Sequence, residues 1–248
     1  MKHLASKRLW LLVWLLAVTI MVSAGPSLRN LDIHVDLRDN GDAEIVETRQ
    51  MSIDSEGTEV YIVIGNLNGQ TITDFYVTDE TGQRYTNVDD WDVKQSREWK
   101  AGKCGIVRKS DGYELCWGLG QSGERTYIVH YVVTNLVLSY EESDGFNWMF
   151  VTRDMYPSPQ RVIIDIEASN RETGLPEDLV GAWLFGCKQG NSCKLGNSVV
   201  AITKNMTTDE GVILMMELQK GLLHPTKSDS RTFNEVRKNA FEGSDYEE

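Results

Sequence analysis

Three histidines lie beyond residue 24 of this 248-residue chain, and histidine is the side chain most often used as a general base near neutral pH. They are His34, His130 and His224. His34 alternates with its neighbours so as to share a polar strand face with Asp32 and Asp36. His130 shares a face with Ile128 and Val132 and reads as a core residue. A serine nucleophile would need a positioned elbow. Gly120-Gln121-Ser122-Gly123 begins one, but Glu124 stands where the closing glycine belongs. The sequence shows no metalloprotease His-Glu-x-x-His, no phosphate-cradling glycine loop and no EF-hand loop. No catalytic residue is therefore assigned, and the expectation is a chain that is not an enzyme.

Two acidic groups could offer hard oxygen ligands to Ca²⁺: Asp36, Asp39 and Asp42, and Asp89, Asp90 and Asp92. The same residues are ordinary turn formers, and that reading is preferred, so no metal and no cofactor is assigned. Nothing singles out a carboxylate pair for glycoside cleavage. Trp91, Trp99 and Trp183 are the candidate ligand-binding residues, because an exposed indole stacks on sugars and other flat ligands; core filling is the competing use of Trp91, Trp99, Trp117 and Trp183. Cys104 and Cys116 flank Lys109-Ser110-Asp111-Gly112, and Cys187 and Cys193 flank Gln189-Gly190-Asn191. Opposed residues of a hairpin sit at the separation a disulfide requires, so the expected bonds are Cys104–Cys116 and Cys187–Cys193. Neither spacing suits a zinc knuckle.

The elements that carry these residues are mostly strands. Leu31, Ile33, Val35 and Leu37 alternate with polar residues, Asp39-Asn40-Gly41 turns the chain, and Ala43 to Ile53 returns. Val60 to Ile64 reads as a strand buried on both faces, and Glu98-Trp99-Lys100 as a short strand. Thr71 to Thr78, Gln83 to Val88, Cys104 to Val107 and Tyr113 to Leu119 follow. Arg125 to Leu138 is the longest apolar segment and reads as a central strand. Asn147 to Thr152, Arg161 to Ala168, Ala182 to Cys187, Cys193 to Leu195, Asn197 to Lys204 and Gly211 to Leu218 complete the set. This regular spacing predicts an all-β, antiparallel two-sheet β-sandwich. Phe233, Val236, Ala240 and Phe241 recur at helical spacing behind Ser228 and Asp229, which predicts a short C-terminal helix before an acidic tail.

Lys2, Lys7 and Arg8 precede an apolar run from Leu9 to Val18, and Ser23-Ala24 closes the segment. That pattern is an export signal cut near Ala24. The expected organisation is a signal peptide at 1–24, a β-sandwich ectodomain at 25–220, and a helix with its tail at 221–248. Loss of three cations takes the net charge from −12 to −15, which argues against nucleic acid and against docking on an anionic lipid surface. The expected location is the periplasm or cell envelope.

Three stretches carry a family resemblance. They are Asn40 to Glu47, a turn followed by an outward Glu on the second strand; Gly123 to Tyr131; and Trp148-Met149-Phe150-Val151 running into Pro157 and Pro159. In this order they resemble the extracytoplasmic N-terminal domain of the YciQ-like predicted bacterial membrane proteins, a family without an assigned activity. The resemblance spans roughly Leu28 to Leu223. It implies an exported β-rich ectodomain followed by transmembrane helices, and it carries over no catalytic residues. None of those helices follows Glu248, so the expectation is a membrane-anchored partner or a missing C-terminal transmembrane region. The function expected is a non-catalytic envelope module that binds a partner protein or glycan, the alternative being a polysaccharide-acting hydrolase or a carbohydrate-binding module.

Overall fold

A computed structural model describes residues 25–242; residues 1–24, where the export signal is expected, and 243–248, the acidic tail, lie outside it. The longest sheet has seven strands in the order β13 (Gly190–Leu195), β14 (Ser198–Lys204), β11 (Pro159–Glu167), β1 (Ser27–Leu37), β2 (Ala43–Ile53), β8 (Gly123–Val133) and β4 (Ile72–Asp79). Two four-stranded sheets accompany it. One runs β12 (Val180–Phe185), β15 (Val212–Gln219), β10 (Ser143–Val151), β9 (Leu138–Ser139). The other runs β3 (Glu59–Ile64), β7 (Tyr113–Gly118), β6 (Lys103–Arg108), β5 (Thr86–Asp90).

The protein is mainly β, as its period-two pattern requires, but it is not a pair of purely antiparallel sheets. β1 pairs with β11 in parallel, Ile33 opposite Ile164, and β5 pairs with β6 in parallel. The cause lies in the connections. A tight turn forces an antiparallel return, as Arg38 to Asp42 does between β1 and β2. β11 instead arrives from β10, a strand of another sheet, and a crossover leaves its direction free.

One contiguous buried cluster draws on all three sheets, including Ile33 of β1, Ile164 of β11, Ile62 of β3, Trp117 of β7 and Phe146 of β10. β2 alternates without exception between buried and half-buried positions, the signature of a strand with one face on the core. Three local expectations change. β3 is not buried on both faces: Ile62 and Ile64 are buried while Tyr61 and Val63 are exposed, because β3 is an edge strand. Glu98 to Lys100 forms not a strand but one helical turn, α1 (Arg97–Lys100), whose Trp99 amide donates to the Ser96 hydroxyl. β8 stops at Val133, where Thr134 and Asn135 turn the chain and Asn135 takes a positive φ of 53°.

The C-terminal helix is present as α2 (Phe233–Glu242). Its cap is Thr232 rather than Ser228 or Asp229. The Thr232 hydroxyl accepts from the Glu235 amide at 3.2 Å, and the Glu235 carboxylate accepts from the Thr232 amide at 2.8 Å. This reciprocal box satisfies two amides that the first turn leaves without partners. Phe233 and Val236 seat the helix in a second cluster with Leu138, Tyr140, Phe185 and Met215.

Candidate functional site

The structure shows neither expected disulfide: Cys104, Cys116, Cys187 and Cys193 are all present as thiols. In the β6–β7 hairpin Cys104 lies opposite Trp117, and Cys116 lies opposite Gly105. The register is one residue away from pairing the two cysteines, and one residue reverses the face. Burial pushes the Cys104 thiol up to about 11 and the Cys116 thiol up to about 12. Cys187 and Cys193 flank no hairpin, because β12 and β13 belong to different sheets. Cys187 is buried, whereas Cys193 is exposed opposite Val200.

The three tryptophans do not form one platform. Trp91 is buried beside the half-exposed Trp99, with ring centroids 6.2 Å apart. The Lys103 ammonium lies 4.6 Å from the centre of the Trp99 ring. Trp183 lies on β12 against Phe233 of α2, at 6.4 Å. The histidines are also dispersed. His34 reaches Glu167 at 3.2 Å on β11, and His224 reaches Asp39 at 3.0 Å. His130 is stacked on Tyr76 at 4.3 Å with its Nδ1 buried, and burial holds its pKa below the ordinary range. The acidic side chains of these loops accept from backbone amides, locally at Asp92 and across distant segments at Asp36 and Asp42. Asp36 accepts from the Ser169 amide at 2.8 Å, Asp42 from the Asn135 amide at 2.7 Å and Asp92 from the Lys94 amide at 2.9 Å. Among the described residues no group of three or more His, Cys, Asp or Glu side chains is placed to hold a metal ion.

The geometry instead singles out a groove of about 410 Å³ between β3 and the segment Thr152 to Pro157 that follows β10. Met51, Ile53 and Leu119 contribute its buried apolar residues. Tyr61, Val63 and Tyr156 contribute exposed apolar surface, at 52%, 40% and 75% exposure. The turn beside it is held rigidly. Asp54 Oδ1 accepts from the amides of Glu56 and Gly57 at 3.0 and 3.2 Å. The Arg97 guanidinium donates to the carbonyls of Asp54 and Gly57 at 2.9 and 2.6 Å. Glu59 is occupied too: its carboxylate faces the buried Lys100 ammonium at 3.1 Å and accepts from the Trp91 indole N–H. Lys100 also donates to the Val93 carbonyl at 2.7 Å. The groove is therefore a fixed apolar surface in which Asp54 and Glu59 are already engaged while Glu56 and Asp154 carry no ion pair among the described residues, an arrangement suited to recognition.

Beneath β2 lies a polar network that no motif announced. Glu47 and Arg49 are both buried on the core face of β2. Arg49 donates through Nε and Nη2 to Glu47 Oε2 at 2.8 and 2.7 Å, and the Tyr131 hydroxyl donates to Oε1 at 2.7 Å. The Arg49 guanidinium lies 5.6 Å from the Trp117 ring of β7 and so links the long sheet to the short one. Burial, with the Glu47 charge next, holds the Tyr131 hydroxyl far above its ordinary pKa. The outward Glu on this strand is Glu44, which is paired with Arg38 at 2.9 Å. The signal for the inward pair was its parity: Ile45, Glu47, Arg49 and Met51 fall on one face.

The family described as the N-terminal domain of predicted membrane proteins, DUF2207, matches residues 27–213. This chain belongs to that family. The match bears out the resemblance drawn from Asn40 to Glu47, Gly123 to Tyr131 and Trp148 to Pro159. A search of curated proteins returns no match. Among solved structures the chain is similar to a Parabacteroides distasonis protein described as a protease (12% identity, TM-score 0.44, covering 79% of this chain and 41% of that one). It is also similar to an M1 zinc metallopeptidase from Deinococcus radiodurans (11%, 0.38, covering 77% and 42%). A third is Legionella pneumophila aminopeptidase A (9%, 0.38, covering 81% and 22%). The chain spans less than half the length of these proteins, and likenesses at these scores carry no argument about its chemistry. Among the described residues no helix is long and apolar enough to cross a membrane.

Proposed function

We propose that this domain is an extracytoplasmic, non-catalytic recognition module of a membrane-associated assembly, and that it takes its ligand in the groove beside β3. The observation that supports this most is the combination found there: exposed Tyr61, Val63 and Tyr156 beside a turn held by the Asp54 carboxylate and the Arg97 guanidinium. A contiguous apolar surface with a rigid border is what a binding site requires, and the net charge keeps the rest of the molecule soluble. The family adds the membrane context. Export, the periplasmic or envelope location and the choice between protein and glycan belong to this proposal. A photo-reactive residue in place of Tyr156, introduced into the chain in intact cells, tests it. The expected result is a discrete adduct with an envelope component, together with an alkaline phosphatase fusion at Glu242 that is active outside the cytoplasm. An inactive fusion, or turnover of polysaccharide or peptide substrates by the purified chain, contradicts it.

A further inference from the structure

The groove is one end of a longer feature. A second groove, of about 290 Å³, is lined by Gly65, Asn66 and Asn68, just after β3, and by Asn147, Trp148 and Met149 of β10. β3 thus leads from the first groove to the second, and β10 leads from the second back to the first. The two strands therefore run in opposite directions between the same two grooves, β3 bordering the first and β10 the second. They belong to different sheets and are not hydrogen-bonded to each other.

Both present backbone to the gap between them. The Leu119 amide donates to the Thr58 carbonyl at 3.0 Å, which fixes Thr58–Leu119 as a hydrogen-bonded pair. By alternation Val60, Ile62 and Ile64 face β7, and the amides and carbonyls of Glu59, Tyr61 and Val63 point away from it. On β10 the Tyr140 amide donates to the Ser143 carbonyl at 2.9 Å, so odd-numbered residues turn toward β9. β9 begins only at Leu138 and pairs only with Asp144 and Gly145, which leaves Asn147 and Met149 without a β9 partner, Met149 beside the register break that precedes Val151. Native edges are normally guarded by charge, bulges or proline. β5 has its register broken between Asn87 and Asp90, and β13 carries Lys194. β3 reads Glu-Val-Tyr-Ile-Val-Ile, with no guard after its first residue.

We infer that the gap between β3 and β10 receives an extended segment of a partner protein as an added strand, apolar at alternate positions and basic between them. This rests on the recognition-module reading above and names its ligand class. Backbone pairing to both edges supplies affinity, and Tyr61 and Val63 supply apolar contacts. The basic character follows from the surroundings of the first groove. Glu56 and Asp154 carry no ion pair among the described residues, and Arg153 is the one cation lining it.

A fluorescein-labelled nine-residue peptide of alternating lysine and valine, titrated into the full chain and followed by anisotropy, is the probe. Saturable one-to-one binding is expected. It should weaken at least tenfold in Val63→Pro and in Met149→Pro, each of which removes only an outward amide. Bound peptide should slow amide exchange at Tyr61, Val63, Asn147 and Met149 in the unaltered chain, a readout that stands if a proline variant fails to fold. Absence of binding, binding indifferent to both prolines, or a gap closed by a second copy in sedimentation overturns the inference. If the Tyr156 adduct survives in the proline variants, the strand inference falls while the recognition module stands; if no adduct forms at all, the module reading falls.

Discussion

Replacing Arg49 with methionine removes the cation from a carboxylate that has no water to turn to. Glu47 is fully buried, and Arg49 contributes two of its three hydrogen bonds, at 2.7 and 2.8 Å. The third, from Tyr131, remains. Breaking a buried pair by deleting one partner costs about 3–5 kcal/mol, because the other charge is left uncompensated. That is a large share of the ~5–15 kcal/mol that stabilises a typical domain. At roughly 2–4 °C per kcal/mol for a protein of this size, the melting temperature should fall by about 6–20 °C. The double variant Glu47→Leu with Arg49→Met removes both charges and should recover most of that loss. Urea denaturation of the chain, of each single variant and of the double variant closes the cycle. An Arg49→Met cost under about 1 kcal/mol, or a double variant as unstable as the two single losses added together, would refute the buried-pair account.

Other consequences follow from burial and capping. Burial raises Tyr85 and Tyr140 to about 12 from an ordinary 10.0, so stability should be level below pH 10 and fall as pH rises from 10 to 12; urea midpoints across that range, with phenolate absorbance at 295 nm, check this. A thiol reagent at neutral pH should label Cys193 fast in the folded chain and all four cysteines after denaturation without reductant; unreactive thiols in the unfolded, unreduced chain would restore the disulfides. Thr232→Ala removes one side of the reciprocal cap on α2 and should cost about 1 kcal/mol, seen as a lower urea midpoint with the same slope.

Alternation made most of the fold legible. Ala43 to Ile53 was readable to the residue, because a strand with one buried face writes its period directly into polarity. Pairing was not legible. Whether Cys104 faces Cys116 depends on a register that a four-residue turn can set either way, and a single step separates a disulfide from two isolated thiols. Parallel pairing of β1 with β11 depends on a crossover more than a hundred residues long, which leaves no local mark. The run Val60 to Ile64 misled for a related reason. A wholly apolar strand reads as central, yet it lies at an edge with Tyr61 and Val63 outward. That local disagreement is where the candidate site lies. Trp91, Trp99 and Trp183 were chosen by type alone, and tertiary packing placed the first two in one sheet's corner and the third under a helix.

The openness of β3 is the claim on which recognition depends, and amide hydrogen exchange on the unliganded chain measures it residue by residue. Ile62 and Ile64, bonded to β7, should exchange slowly, while Tyr61 and Val63 exchange close to the rate of unstructured amides. Equal, strong protection at all four positions would mean that β3 already has a neighbour on both sides, and the account would be contradicted.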